Sequence, residues 1–454
     1  MRVIPHGFPA KGTAPRPRQA AAPARLKRGM LQTQVSDVVH ERRIAGEVAA
    51  PVARAAAGIA VTVHDTVAGA AEAWRAFERE AECTAFQAYA WHSAWQAHIG
   101  NVAGVRPAIV VGREAGRVVF ILPLAVEPGR LVNRLVWHAS DLCDYNAPLI
   151  ARDFAAHVAP GTFAALFDAI GRAVGAKPGL AFDAVTLTKM PETIGGQPNP
   201  FMELATTLNP SNAYVARLFG TWDTYYVEKR SSATRRRDRT KRKRLADIGA
   251  VAFVTPSDPG EIVDTLDTLM AQKSAAFARM GVPDIFARPG YPAFYGALAA
   301  DPAMRDYVHV SRLDVGEIPA AINFGLVFNG TYSHVLASYD AGAAAKFGPG
   351  AAHLHELMGF AMQRGCTAFD FTIGDERYKR EWSDVTLTLH DHRASVTVRG
   401  WLVTLPSTAL ASVKRTIKQT PFLWDLVTKA RALVAKVTGR SSAPAAAAEP
   451  AETD

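Results

Sequence analysis

The chain has little cysteine, and what it has is scattered. Cys83, Cys143 and Cys366 are its only three in 454 residues, and none stands in a Cys-x-x-Cys spacing. That argues against a disulfide framework or a structural zinc site and fits a reducing compartment. No apolar run approaches the ~18 uncharged residues that a membrane-spanning helix needs. The His-Glu-x-x-His, Gly-x-Ser-x-Gly, Walker A and Gly-x-Gly-x-x-Gly patterns are missing, so zincin, serine-hydrolase, P-loop and dinucleotide chemistry have no motif behind them. Acid is lacking at the start of the chain. Residues 1–56 are rich in Ala, Pro and Arg, have no Asp or Glu before Asp37, and hold few large apolar side chains. Such a segment buries too little surface to offset its ordering entropy, so disorder is expected there. It has no continuous apolar core of the secretory kind, and Met30 offers an alternative start.

The remainder is ordinary globular composition, 49% apolar and 20% charged. Its length predicts two or three domains. The net charge of +9 is local. Residues 229–244 carry ten Lys or Arg against one Asp, which equals the whole excess. A basic chain of this kind would suggest a nucleic-acid surface, but here the charge reports one segment. That segment lacks the interleaved aromatics of a single-strand-binding surface. It reads as a linking helix with anion contacts, or as a membrane-surface helix beside the basic stretch 406–438.

Folded texture begins near Gly58. Residues 59–63 alternate as a strand, and 69–99 read as one or two helices with Trp74, Phe77, Phe86, Trp91 and Trp95 as the apolar stripe. Strands at 107–112 and 117–124 flank the hairpin link 113–116; a strand at 135–138, a helix at 160–175 and a strand at 182–188 follow. A second unit repeats the order. It has a strand at 251–254, helices at 259–279 and 290–300, strands at 308–313, 320–328 and 331–338, a helix at 350–364 and a strand at 367–371. The link Asn329-Gly330 is a strong two-residue turn signal. Strand, helices, hairpin strands, helix, strand, twice over, is a coarse internal duplication. Two basic helices at 406–419 and 422–438 and an Ala-rich disordered tail at 441–454 close the chain.

The most specific stretch is Phe369-Asp-Phe-Thr-Ile-Gly-Asp-Glu-Arg-Tyr-Lys-Arg-Glu-Trp382, an apolar run broken at Gly374 into an acidic turn, then Tyr378-Lys379 and a large aromatic. It resembles the C-terminal signature of double acyltransferases of the GNAT superfamily, most closely the CelD-like family, relatives of the FemABX peptidoglycan aminoacyltransferases. The resemblance spans about residues 58–400. It implies an α/β fold of two tandem GNAT-like mixed-sheet domains, at 57–207 and 251–404, joined by a basic helical segment at 208–250 and followed by C-terminal helices at 405–440. It also implies acyl-CoA as cosubstrate, with no permanently bound cofactor and no metal.

Site residues follow in part from chemistry and in part from that resemblance. Lys346-Phe347-Gly348-Pro349-Gly350-Ala351 follows a strand and opens a helix. Backbone N–H groups at a helix start carry partial positive charge and bind phosphate. The resemblance makes this the coenzyme A pyrophosphate loop, although Ala345 stands where Gln or Arg is expected. Lys379 can stabilise a tetrahedral oxyanion, with Tyr378 beside it and Glu376 or Asp340 as the base; alternatively Lys379 makes a structural ion pair. Asp144-Tyr145-Asn146-Ala147-Pro148-Leu149 resembles the family's Asp-Tyr-x-x-Pro-Leu segment. It is assigned to substrate together with Arg235 and Arg236, with a plain Asx-type turn as the other option. His353 and His355 are two apart and face different sides of a helix, which argues against a shared metal.

The expected activity is transfer of an acyl group from acyl-CoA to an amine or hydroxyl, on a cell-envelope or polysaccharide precursor. The alternatives are aminoacyl transfer from aminoacyl-tRNA, which is the only route to a nucleic-acid partner, and a non-catalytic assembly role in polysaccharide (cellulose) biosynthesis. A cytoplasmic location is expected, with peripheral contact at the inner membrane face through the basic helices.

Overall fold

Two mixed sheets form the frame of the computed structural model, which describes residues 58–402. The expected features at 1–56, 406–438 and 441–454 lie outside that range.

The first sheet runs in the order Ile59–His64, Arg106–Glu114, Arg117–Glu127, Arg134–Trp137, Ala184–Pro191, Leu389–Ser395, Thr206–Leu208, with Leu149–Ile150 pairing beside Arg117–Glu127. The second runs Val251–Val254, Val308–Val315, Ile318–Phe328, Thr331–Tyr339, Ala368–Ile373, Ala213–Arg217, Val385–Leu387. Each sheet contains one parallel pair. In the first it is Arg134–Trp137 with Ala184–Pro191, and in the second Thr331–Tyr339 with Ala368–Ile373. The helices Phe163–Ala176 and Pro349–Gln363 make the crossovers that parallel pairing requires. The duplication expected from sequence order is therefore present in strand order too.

The halves also exchange strands. After Ala184–Pro191 the chain reaches Thr206–Leu208 on the first sheet and then Ala213–Arg217 on the second. After Ala368–Ile373 it runs through Val385–Leu387 on the second sheet into Leu389–Ser395 on the first. The two crossing segments pair antiparallel with each other, Tyr214 opposite Thr386 and Asp391 opposite Thr207. Each sheet is thus completed by chain from beyond the other half. Nothing in the composition of 206–217 or 385–395 announced this, because both are short and polar.

Of the one or two helices expected at 69–99, two are present. Ala71–Phe77 and Tyr89–Trp95 are helical, and Gln96–Gly100 continues as one π-helical turn. Its aromatic stripe holds: Trp74, Phe86 and Trp91 are wholly buried, with Phe77 and Trp95 nearly so. Trp91 packs edge-on against Phe294 of helix Tyr291–Ala300, which joins the two halves through one apolar core. The basic run forms helix Ser232–Ala246, started by the Ser231 hydroxyl accepting from the Thr234 N–H. Asn329 and Gly330 both take positive φ, 45° and 72°, as the predicted two-residue hairpin requires. Among the described residues no helix is long and apolar enough to cross a membrane.

Candidate active site

The two strands of the second sheet's parallel pair stay together for three residues only, Thr331–Ser333 against Ala368–Asp370. Beyond them Thr331–Tyr339 keeps pairing with Ile318–Phe328, while Ala368–Ile373 pairs with Ala213–Arg217. The strands therefore part at their C-terminal ends. In sheets with helical crossovers, ligands bind outside the C-terminal ends of strands where neighbours diverge. Both motifs singled out in the sequence leave from this opening.

One is the turn after Ala368–Ile373. Thr372 is held at φ 59°, strained for a β-branched residue, and Gly374 at φ 133°. That φ at Gly374 strains any residue with a side chain, and a Cβ there would also press on the ends of the Glu376 and, at 2.9 Å, Lys379 side chains. Lys379 lies in helix Arg377–Trp382 with its side chain 7% exposed. Its Nζ donates to the Ile373 carbonyl at 2.7 Å and pairs with Glu376 Oε2 at 3.2 Å. Trp382 is structural: it stacks with Trp222, Tyr225 and Tyr226 under the Arg230 guanidinium.

The loop 138–148 of the first half comes to the same place. Tyr145 Oη donates to Asp370 Oδ1 at 2.8 Å, and the Thr372 N–H donates to the same oxygen at 2.7 Å. Burial raises the Asp370 carboxyl to about 7, against the pull of those two hydrogen bonds. Asp144 is partly buried. Its pKa is raised by burial, with Lys189, a Thr372 hydrogen bond and Lys379 opposing. Lys273, on helix Pro259–Met280, is lowered by burial and interacts electrostatically with Glu376, Lys379 and Asp144. Three carboxylates and three lysines from four separate stretches thus converge on one spot, with Asp370 and Lys379 buried and Glu376 at its exposed rim. Perturbed groups of both signs in a cleft are a mark of chemistry. Asn146 locks the loop, its Nδ2 donating to the Thr188 carbonyl and its N–H to the Lys189 carbonyl.

The other motif is the helix start after Thr331–Tyr339. Gly348 is the N-cap of Pro349–Gln363 at φ 65°, and Gly350 sits against Tyr339. Phe347 carries the Lys346 ammonium over its ring, 5.0 Å from the centroid. Helix Ser232–Ala246 flanks this start: Lys241 abuts Gly348, and Arg242 bonds His355 at 3.1 Å.

Other expected residues sit elsewhere. Asp340 accepts from the Gly342 N–H at 2.8 Å in a local turn. Arg235 donates to the Val227 carbonyl at 2.7 Å, capping the neighbouring helix, and Arg236 is exposed. Tyr378 packs its ring against Phe371. Of the expected set, Lys379, Glu376, Asp144 and Tyr145 are brought together. Lys189, Lys273 and Asp370 join them and had no signal of their own as site residues, except that Asp370 lies inside the motif. Among the described residues no cluster of His, Cys, Asp and Glu could hold a metal.

A family model described as an acetyltransferase (GNAT) domain matches residues 232–380. Among solved structures, FemX is similar at a TM-score of 0.51 and 11% identity, over 76% of this chain and 99% of that one. L-PGS from Bacillus licheniformis follows at 0.45 and 14%, over 76% and 96%. A tandem GNAT protein from the clavulanic acid biosynthesis pathway gives 0.39 and 12%, over 75% and 99%. No curated protein matches the chain. The fold is that of two tandem GNAT-like mixed-sheet units, and the second carries a GNAT-type acetyltransferase domain.

Proposed function

We propose that the chain moves an acyl group from acyl-CoA to an amine or hydroxyl in the cleft between its two halves. One observation carries this: the Tyr145–Asp370 hydrogen bond, which brings Asp144, Lys189, Lys273 and Lys379 together at the mouth of the parted strands. Backbone N–H groups from Gly348 to Ala351, with Lys346, hold the donor's pyrophosphate. The parted strands admit its pantetheine arm. Asp370, which burial raises to about 7 with the Asp144 charge adding to the rise, takes the acceptor's proton. Lys379, fixed by the Ile373 carbonyl, stabilises the oxyanion as the thioester carbonyl is attacked. The acyl–nitrogen or acyl–oxygen bond forms, the carbon–sulfur bond breaks, and the thiolate leaves and is protonated. Positioning supplies the rest of the rate. The resemblance of the 369–382 motif makes a cell-envelope or polysaccharide precursor the first acceptor class to screen.

A second reading is favoured by helix Ser232–Ala246, which exposes Arg236, Arg237, Arg239, Lys243 and Arg244 beside the Gly348 turn. In it the activated donor is an aminoacyl ester on tRNA. Calorimetry with coenzyme A and acetyl-CoA separates the two. Micromolar binding that is lost in Gly348→Trp supports acyl-CoA. Its absence, with tRNA binding that weakens steeply with salt, supports the ester donor. Neither interaction would leave an assembly role.

A further inference from the structure

The two crossover helices begin alike and are served differently. A left-handed glycine precedes each, Gly161 at φ 82° ahead of Phe163–Ala176 and Gly348 at φ 65° ahead of Pro349–Gln363. The second helix has no acidic residue in its first turn and no side-chain cap. The first has the Glu203 carboxylate seated on its start. Glu203 Oε1 accepts from the Gly161 N–H and Oε2 from the Phe163 N–H, both at 2.8 Å. Helix starts bind anions through such N–H groups. This one already holds its anion, and the chain itself supplies it from 40 residues downstream.

The opening between the first half's parallel strands is filled in the same manner. Arg134–Trp137 and Leu149–Ile150 both pair with Arg117–Glu127, Trp137 opposite Leu124 and Leu149 opposite Ile121. They are one strand interrupted by residues 138–148. The corresponding strand of the second half, Thr331–Tyr339, runs through with one extra residue, Val335, where Gly325 faces His334 and Phe324 faces Leu336. A bulge in one half is thus a long loop in the other. That loop turns back onto Ala184–Pro191 just past Thr186, where the parallel pairing stops. The Asn146 N–H donates to the Lys189 carbonyl at 3.0 Å, Asn146 Nδ2 to the Thr188 carbonyl at 2.9 Å, and Lys189 Nζ to the Cys143 carbonyl.

We infer that the first half is a self-occupied copy of a donor site. The Glu203 carboxylate takes the place of a donor's phosphate and loop 138–148 the place of its arm, so the chain accepts one donor, in the second half alone. What that donor is rests on the acyl-CoA reading; the anion site beneath Glu203 does not. The closure is put to use, because the loop that fills the opening carries Asp144 and Tyr145 across to Thr372 and Asp370. Glu203 is exposed, so a small anion from solvent can reach the helix start once that side chain is gone.

The probe is inorganic pyrophosphate, titrated by calorimetry into the full chain carrying Gly348→Trp, which blocks the second half's helix start. Adding Glu203→Ala frees the Gly161 and Phe163 N–H groups. Pyrophosphate should then bind at least about tenfold tighter than with Glu203 in place, the scale of one hydrogen bond to a charged group. Glu203→Gln, which keeps an acceptor oxygen over the helix start, should give a smaller gain. Because Glu203→Ala also removes a helix cap and can loosen the fold, stoichiometry in the unaltered protein is the second measurement. Coenzyme A should bind there as one molecule per chain. Two molecules per chain, or pyrophosphate binding that Glu203→Ala leaves unchanged, would overturn the inference. No coenzyme A binding at all would sink the acyl-CoA reading instead, and the pyrophosphate comparison would still decide this one.

Discussion

Lys189 and Thr372 occupy the same place in the two sheets. Each follows the parallel-paired stretch of its strand, each is the second residue of a bulge opposite a single residue of the exchanged strand, and they take φ of 60° and 59°. Asp391 opposes the first bulge and Tyr214 the second. Bulges re-aim side chains near active sites, and here both re-aimed residues reach Asp144. The duplication has been used twice, once for each wall of one site.

Strain at Thr372 makes a stability prediction. Left-handed backbone costs a non-glycine residue roughly 1–2 kcal/mol, so Thr372→Gly relieves about what it loses in buried methyl contact and chain entropy. The expected change is within about 1 kcal/mol although Thr372 is 2% exposed. Thr265→Gly, equally buried but in a helix interior, should cost about 2 kcal/mol. Urea unfolding of the pair measures both. A Thr372→Gly loss as large as that at Thr265 would mean the strain is not there.

Lys379 should be needed for turnover and dispensable for folding. Lys379→Met keeps most of the buried stem, and kcat/KM is expected to fall about 10²–10³-fold, the effect of one lost oxyanion donor. The far-ultraviolet spectrum should be unchanged. Single-turnover kinetics with saturating donor would read the chemical step alone, and a drop of less than tenfold would remove Lys379 from the mechanism.

Much of this site was legible, and the limit is instructive. The 369–382 motif gave Lys379 and Glu376 because their spacing is local. The Asp144-Tyr145 segment was visible for the same reason. Lys273 looked like any polar residue on an amphipathic helix, and Lys189 like the end of a strand. Contacts distant in sequence bring them within range of Asp144, Lys189 through the Cys143 carbonyl and Lys273 from helix Pro259–Met280, and such contacts leave no local pattern. Asp340 misled because it ends the right strand but is turned back on Gly342. The elements themselves were readable, since apolar alternation and the Asn329-Gly330 turn are encoded within a few residues.

Acidity acts on this protein in two opposite ways. His92, His309, His334 and His353 are buried and pushed down to about 3, and His138 is lowered as well, by burial first in every case. They stay neutral when folded and bind protons when unfolded. Their contribution is complete above the unfolded pKa near 6.5 and is lost as pH falls below it, at up to ~1.4 kcal/mol per pH unit for each. Asp370 runs the other way. Raised to about 7 from 3.8, it holds a proton when folded that the unfolded chain has released, so its effect on stability declines as pH rises from about 4 to 7. The histidines outnumber it, and a net loss of stability below pH 6 is expected from urea midpoints. Asp370→Asn should steepen that loss between pH 4 and 6 and remove a limb near pH 7 from the kcat/KM profile. An unchanged pH–rate profile would exclude Asp370 from the proton transfer.

Asp391 tests whether the exchanged strands hold the site together. It is 1% exposed and lies on strand Leu389–Ser395, contributed by the far end of the chain to the first sheet. Its Oδ1 accepts from the Lys189 N–H at 3.0 Å and from Asn209 Nδ2 at 2.7 Å, and its Oδ2 pairs with Arg393 at 2.9 Å. Removing the carboxylate leaves two buried donors and a buried guanidinium without their acceptor. Asp391→Ala is therefore expected to cost about 3–5 kcal/mol. It should also lower turnover, although nothing places Asp391 in contact with substrate, because the bulge that aims Lys189 is released. Asp391→Asn keeps one acceptor oxygen and should recover part of both losses. Since each sheet is closed by the other half's chain, the variant should still unfold in one transition, followed by tryptophan fluorescence and by circular dichroism. Two separated transitions would show that the halves fold independently and that the exchange is not what joins them.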